Sequence, residues 1–314
     1  ARGSNAVDLQ TLRISPLQVA SGRDCVITGG NNNTNSGEVG FVGGGSNNNT
    51  AGNYSVISGG LTNSINYFGA TGATISGGSI NTISEQYATI ASTNTHATVV
   101  GGQGNTASGQ YSVAGGQTGV ASGLQSMAFN GTASGQSSVS LGAGNQATGR
   151  FTTALGLNSR AYLYNQLSVG SVGSSFGFVA GSSQLSFLVA LTQGALLTGG
   201  TTVLTLDGDG GNLIIPTGTN RAWNVTIKTI AVVTTITGTA TGVTVGDVYS
   251  ENKYLLFKKV GGVSSIVGTV DTSNIKSDAS MNTAAVTITA GAVDKEMAIT
   301  FTAPTFAGAG SITC

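Results

Sequence analysis

The sequence is short of charge, proline, cysteine and histidine. Only 8% of its 314 residues are charged, and the formal net charge is zero, against roughly 25% charged residues in an average soluble domain. That excludes a basic nucleic-acid-binding domain, which clusters Lys and Arg. The three prolines, Pro16, Pro216 and Pro304, together with the lack of a Gly-X-Y period, exclude collagen. Disorder requires low hydrophobicity and high net charge, whereas 39% of residues are hydrophobic and mean hydropathy is +0.18. No apolar run reaches the roughly 18 residues of a membrane-spanning helix. The opening Ala1-Arg2-Gly3-Ser4 lacks signal-peptide character. Cys25 and Cys314 sit near opposite ends, without disulfide-framework or metal-ligand spacing, so two unpaired thiols are expected.

What the chain does have is glycine, 50 residues, and internal repeats. Short apolar pieces ending in small residues recur: Val26-Ile27-Thr28-Gly29-Gly30, Phe41-Val42-Gly43-Gly44-Gly45, Val56-Ile57-Ser58-Gly59-Gly60, Thr74-Ile75-Ser76-Gly77-Gly78, Thr98-Val99-Val100-Gly101-Gly102 and Val113-Ala114-Gly115-Gly116. Weaker copies are Ala88-Thr89-Ile90-Ala91, Ser126-Met127-Ala128-Phe129, Ser138-Val139-Ser140-Leu141-Gly142 and Thr153-Ala154-Leu155-Gly156. A second element lies between them, as in Ala107-Ser108-Gly109, Ala121-Ser122-Gly123, Ala133-Ser134-Gly135 and Ala147-Thr148-Gly149. Asn-rich turns such as Asn31-Asn32-Asn33-Thr34 and Asn47-Asn48-Asn49-Thr50 join the pieces.

A period near 14 with two runs per period predicts two short strands per coil of a parallel β-roll or solenoid. Gly and Asn tolerate the left-handed backbone that tight corners need. Coils stacked about 4.8 Å apart would make a rod roughly 45 Å long from ten copies. The lack of proline between Pro16 and Pro216 leaves every ladder N–H in place. Each coil offers only two or three inward apolar side chains against roughly 1–2 kcal/mol of backbone entropy per residue. A single roll is therefore too thin, and a homotrimer, or at least an oligomer, is expected.

The stretch Ser108 to Gly156, SGQYSVAGGQTGVASGLQSMAFNGTASGQSSVSLGAGNQATGRFTTALG, resembles the head repeats of trimeric autotransporter adhesins, which are trimers of left-handed parallel β-rolls. Similar repeats occur in bacteriophage tail fibres and neck appendages. The resemblance covers about residues 21–165. The chain departs from the adhesin pattern in lacking a heptad stalk and the amphipathic strands of a C-terminal membrane barrel.

Composition shifts near residue 200. Residues 1–200 hold five arginines, no lysine and four acids, and residues 201–314 hold seven Lys or Arg and eight acids. The expected organisation is a lead or junction (1–20), a β-roll shaft (21–165), a transition (166–200) and an antiparallel β-sandwich tip (201–314). Strands are predicted at Thr202–Leu206, Leu213–Ile215, Trp223–Val233, Ala285–Thr289 and Met297–Thr302. Lys253–Val260 and Ser264–Val270 are expected to form a hairpin around Gly261-Gly262. The order TLDGDGGNLIIP…RAWNV…LLFKKVGG…IVGT…MAITFTAP resembles the C-terminal domain of bacteriophage tail-fibre proteins. Such domains continue through one more strand, and Ser311-Ile312-Thr313-Cys314 reads as its opening. The resemblance thus implies a longer gene product or a processed or disordered tail.

Catalytic constellations are missing. His96, the only histidine, reads as a solvent-facing rung or turn residue rather than a triad member. Glu38 and Glu85 fall several coils apart, roughly 15 Å or more at about 4.8 Å per coil, too far for the paired carboxylates of glycoside cleavage within one chain. Asp207 and Asp209 fit an Asp-Gly turn, because Gly218 occupies the position of the calcium-loop glutamate. Thr columns do not keep the register of an ice-binding face. Catalytic, cofactor and metal residues are therefore assigned to none. Lys258-Lys259 reads as a solvated strand end, and Trp223 as core, with sugar stacking as its sharper alternative. Trp223, Lys258 and Lys259 remain the candidates for receptor contact.

The resemblances imply a non-enzymatic fibre subunit: a phage tail fibre or tail appendage on the virion tail that recognises a host cell-surface glycan or protein. Its N-terminal segment would join an upstream fibre or baseplate protein, without nucleic-acid binding or membrane insertion. The alternatives are a trimeric adhesin or extracellular filament subunit at the bacterial cell surface, and a polysaccharide-degrading tailspike.

Overall fold

The computed structural model describes residues 1–66, 71–84, 96–171, 184–187, 195–204, 221–261, 263–290 and 297–313. Their fold is all-β. Helix among them is limited to one 3-10 turn, Ala279–Met281. The chain divides into two units, Ala1–Phe187 and Leu188–Cys314.

The first unit is a parallel β-solenoid. Val26, Phe41 and Val56 stand in register on one side, and Thr34, Asn49 and Ser64 on the other. Successive coils build a 12-stranded first sheet and a 9-stranded second sheet. The first sheet runs from Val7–Asp8 to Leu167–Ser171, and Gln184–Phe187 closes it in antiparallel pairing. The second sheet runs from Thr34–Asn35 to Arg160–Ala161. Three expectations need correction. Residues 1–20 are more than a lead, since Val7–Asp8 pairs with Val26–Ile27, and Leu12 and Ala20 bridge to Asn31 and Asn35. The ladder also continues past residue 165, to Ser171. Finally, Thr74–Ile75 pairs directly with Thr98–Val99, so Ala88-Thr89-Ile90-Ala91, outside the described residues, adds no rung between them. A 24-residue step separates those strands, where the step before is 18 residues and the two after are 15 and 14.

Every coil turns through two left-handed corners, one before each strand. Before the first sheet stand Asp24, Val39, Tyr54, Gly72, His96, Tyr111, Gln125, Ser137, Phe151 and Asn165. Before the second stand Asn32, Asn47, Thr62, Ile80, Gly104, Thr118, Asn130, Gly144 and Asn158. Bulky or β-branched residues at φ near +55°, such as Val39, Ile80 and Phe151, depart from the usual Gly or Asn. Glycine is compulsory where coils touch: a Cβ on Gly22 would collide with the carbonyl oxygen of Gly37, and one on Gly123 with that of Gly135.

The Asn-rich turns hold more than turn formers. Asn33, Asn48, Asn63, Asn81 and Asn105 are fully buried in one column. Asn48 Nδ2 donates to Gly44 O (2.8 Å), Gly60 O (2.9 Å) and Asn33 Oδ1 (3.2 Å), and its own N–H donates to Asn33 Oδ1 at 3.0 Å. Asn63, Asn81 and Asn105 repeat the pattern coil by coil. Each amide satisfies two buried glycine carbonyls and the next coil's N–H, groups that are costly to leave unpaired.

The interior tapers. On the first sheet the inward column reads Ile27, Val42, Ile57, Ile75 and Val99, then Ala114, Ala128, Ser140, Ala154 and Ser168, all inaccessible to solvent. On the second it changes from Ile65 and Ile83 to Ala107, Ala121, Ala133, Ala147 and Ala161. At the opposite, N-terminal end the inward position is a carboxylate. Asp8 accepts from Ala20 N–H (3.2 Å), Gln10 N–H (3.2 Å) and Gln10 Nε2 (3.3 Å), with Arg13 Nη1 at 3.5 Å. Burial alone would raise its pKa, but these donors and the guanidinium outweigh it and hold the carboxyl below its usual value. Asp8 thus caps the open end of the stack.

The second unit contains three three-stranded antiparallel sheets. One places Val248–Val260 between Arg221–Val232 and Val263–Ser277. A second places Met297–Thr302 between Thr201–Val203 and Ala285–Ala290. A third places Gly310–Thr313 between Ala195–Leu196 and Thr235–Gly238. Tyr249 meets Phe301 at 6.2 Å between ring centroids, joining the first two. Asp207, Asp209 and Leu213–Pro216 lie outside the described residues.

Asn63→Ala should cost roughly 2–4 kcal/mol, because the carbonyls of Gly59 and Gly78 and the N–H of Asn81 lose their partner. Ile80→Asn, at a left-handed corner, should stabilise by about 1 kcal/mol. Denaturant unfolding measures both; a loss at Asn63 no larger than that of exposed Asn47→Ala would show that the ladder does not hold the stack. Asp8 gives a second test. Its stabilisation is fully present above the unfolded carboxyl value of about 3.9 and is lost as pH falls through the lower folded value. Amide exchange at Val7–Leu9 should therefore accelerate below about pH 4 in the native chain. In Asp8→Asn it should be fast already at neutral pH, without that acid step.

Candidate functional site

The two outward faces of the solenoid differ in chemistry. The first sheet shows solvent one column of eleven residues, of which Val7, Val26, Phe41, Val56, Val113, Met127, Val139 and Leu167 are apolar and Thr74, Thr98 and Thr153 are threonines. From Phe129 onward a second apolar column, Phe129, Leu141, Leu155 and Val169, runs beside it. Met127, Leu141 and Val169 are 37–39% exposed. The second sheet shows Thr34, Asn49, Ser64, Thr82, Thr106, Val120, Thr132, Gln146 and Arg160 instead. Hydroxyls do keep register here, in two ranks: Thr82 with Ser84, Thr106 with Ser108 and Thr132 with Ser134. The threonines alone form no unbroken column, as expected from the sequence. Val120, Asn49 and Gln146 interrupt the Thr rank.

In the tip, period-two alternation sorts the receptor candidates. Trp223 is half-buried and packs against fully buried Phe257, with ring centroids 5.9 Å apart. Lys258 is exposed on the opposite face of the sheet, beside Leu256 and Tyr254. Lys259 is 4% exposed, so the expected solvated Lys258-Lys259 pair is split: the side chains of adjacent strand residues point to opposite faces. The structure thus leaves Lys258 accessible, with Trp223 and Lys259 on the packed face.

The same alternation buries a polar cluster that the sequence reading missed. Tyr249, Glu251 and Lys253 follow one another on the inner face. Lys253 Nζ lies 3.1 Å from Glu251 and also donates to Thr272 Oγ1 at 3.1 Å. Burial and the Glu251 carboxylate push the Tyr249 phenol well above its usual range. The signal was the run Tyr-x-Glu-x-Lys-x-Leu-x-Phe, in which the charged pair shares a face with core residues.

His96 is an exposed corner residue, stacked on Tyr111 with ring centroids 5.6 Å apart and planes 14° off parallel. Glu38 forms an ion pair with Arg23 of the preceding coil; Glu85 lies outside the described residues. Cys25 is buried and free, its Sγ donating to Gly22 O at 3.0 Å, and burial raises the thiol pKa. Cys314 is outside the described residues. Among the described residues no group of three or more His, Cys, Asp or Glu could hold a metal, and no helix is long and apolar enough to cross a membrane. Compared with known proteins, the chain matches no family model and no curated protein.

Lys253→Met leaves Glu251 buried without its cation and should cost roughly 3–5 kcal/mol, while Lys258→Ala on the exposed face should stay within about 0.5 kcal/mol. Trp223, the only tryptophan, reports tip unfolding by fluorescence. Equal effects of the two substitutions would contradict the inward placement of Lys253.

Proposed function

We propose that the chain is a structural fibre subunit. Three copies associate through the outer face of the first sheet, and the assembly serves as a bacteriophage tail fibre or tail appendage that binds a host cell surface. The observation that carries this reading is the chemical asymmetry of the two sheets. Parallel sheets are normally covered on both faces, and the first sheet, mostly apolar on both, has its outer face bare in the single chain. The hydroxyl-rich second sheet suits water. Where the interior shrinks to alanine and serine, the outer face gains its second apolar column, so burial lost inside is available between chains.

The choice of a tail fibre rests on the repeats of Ser108 to Gly156 and on the tip pattern around Trp223. In this reading the shaft supplies reach. The tip supplies weak contacts from Lys258, Leu256 and Tyr254, multiplied by threefold avidity. No catalytic constellation enters the reading.

Light scattering on the purified chain should give three times the 31.0 kDa monomer mass. Met127→Glu with Leu141→Glu should reduce it to one copy or to aggregate, while Thr106→Glu on the second sheet should leave it unchanged. A folded wild-type monomer would remove the basis of the proposal. The labelled trimer should decorate a narrow set of bacterial cells; binding to animal-cell matrix alone would point to an adhesin.

A further inference from the structure

The corner column before the first sheet carries a feature that neither packing nor chain association requires. Its backbone is left-handed from Asp24 to Asn165, where Asp, Gly, Gln, Ser and Asn fill five of the ten corners named above and Val39 a sixth. Tyr54, His96, Tyr111 and Phe151 occupy the rest, at φ of +53°, +36°, +57° and +57°. Aromatic side chains in this backbone region are strained, and strain of this kind concentrates where function demands it. The rings are not core: Tyr54 is 57% exposed, Tyr111 47% and Phe151 42%.

The column is physically continuous. Each corner N–H donates to the carbonyl just before the corner of the preceding coil, as Tyr54 does to Glu38, Gly72 to Asn53, His96 to Thr71 and Phe151 to Gln136. The rings therefore line one edge of the rod at multiples of about 4.8 Å. His96 and Tyr111, in consecutive coils, stack into a two-ring platform. Gly72 seats it: a Cβ there would come within 2.9 Å of His96 Cδ2. Two coils below His96 stands Tyr54, and three coils above Tyr111 stands Phe151, which Tyr164 meets edge-on and Arg150 covers at 5.5 Å. Between the rings the edge shows amides and a hydroxyl, Asn53, Gln125, Gln136 and Ser137. From Asn53 to Ser137 the described corner residues and those just before them carry no formal charge; Glu38 precedes the Val39 corner below this stretch and Arg150 the Phe151 corner at its upper end.

We infer that this edge is a binding track for a neutral polysaccharide chain lying along the shaft axis. Flat rings with an exposed face offer apolar area to the C–H faces of sugar rings, and they do so rigidly, since an aromatic side chain has only two rotatable bonds. The flanking amides and hydroxyl supply hydrogen-bond partners at fixed intervals, and with Arg150 as the one charged corner neighbour among the described residues of the span the edge demands little charge of the ligand. The span from Tyr54 to Phe151, six coil steps or roughly 29 Å at about 4.8 Å each, holds several sugar rings at once. The track belongs to the solenoid and is independent of the tip contacts proposed above.

Replacement by asparagine gives a test that separates binding from folding, because asparagine is at home in the left-handed region. The full-length chain and His96→Asn/Tyr111→Asn are titrated with soluble dextran, yeast mannan and a linear β-glucan by calorimetry, with melting temperature and mass measured on the same samples. The native chain is expected to bind at least one of these, and the double variant to bind it tenfold or more weakly with an equal or higher melting temperature and unchanged mass. Absence of binding by the native chain to all three overturns the proposal. So does equal affinity in the variant. A change in mass makes the edge a seam between chains, and also overturns it.

Discussion

A buried side-chain amide, present in six of the nine described coils of the second sheet, sets the geometry of the solenoid. Strands of two residues supply few ladder hydrogen bonds, so the turns that connect them need their own partners. The asparagine column provides these. From a fixed position its Nδ2 reaches the carbonyl four residues back and the carbonyl of the next coil, and its Oδ1 receives the next coil's N–H. Aspartate lacks the donor, and glutamine adds a methylene that the coil spacing cannot absorb. The dependence is visible where the column lapses. Gly119 and Gly131 replace asparagine there, and the step from Val120 to Thr132 shortens to 12 residues. Asn145 then resumes the pattern, donating to Leu141 O and Gly156 O and accepting from Ser159 N–H, and the step returns to 14.

With the turns fixed, the side chains between the sheets decide how much each coil stabilises itself. From Ile27 to Val99 the interior holds mostly Ile and Val at its inward strand positions, with Asn35 and Thr50 on the second sheet, and each Ile or Val is worth roughly 1.5–3 kcal/mol when fully buried. From Ala107 onward it holds methyl and hydroxymethyl groups, worth far less. Apolar surface does not disappear from these coils; it moves to the outer side of the first sheet, at Met127, Phe129, Leu141, Leu155, Leu167 and Val169. The two halves of the solenoid thus differ in where their apolar area resides: inside in the first half, and on the outer side of the first sheet in the second.

Much of this was legible in the sequence. Period, strand positions and parallel stacking follow from the spacing of Val-Ile and Gly-Gly pieces, and the tip hairpin follows from alternation around Gly261. The asparagine ladder was not legible as such, because Asn-rich stretches read equally well as exposed turns; only the recurrence of one Asn immediately before the second strand of most coils marks it. The copy at Ala88–Ala91 lies outside the described residues, and composition alone does not show that Thr74–Ile75 pairs directly with Thr98–Val99. Lys259 misled because adjacent lysines suggest a solvated end, whereas the strand continues through Val260 and separates them. The outer-face asymmetry required register: column membership depends on which residue of each two-residue strand points inward.

Stacking also accounts for the composition. A residue repeated at one position of successive coils faces its own copy about 4.8 Å away. Two like charges at that distance repel by about 1 kcal/mol in bulk water and about 4 kcal/mol at the effective dielectric of a protein surface. Charge is therefore nearly excluded from columns: Arg150 and Arg160 stand singly in theirs, and Arg23 and Glu38 bring opposite signs in consecutive coils. Neutral groups gain from the same periodicity: amides bond to amides, rings stack on rings, and hydroxyls align in ranks. The shaft's surface vocabulary of Thr, Ser, Asn, Gln and isolated aromatics is what remains once that repulsion is removed. A partner that recognises such a surface must read it through shape, stacking and hydrogen bonds, with little help from electrostatic attraction.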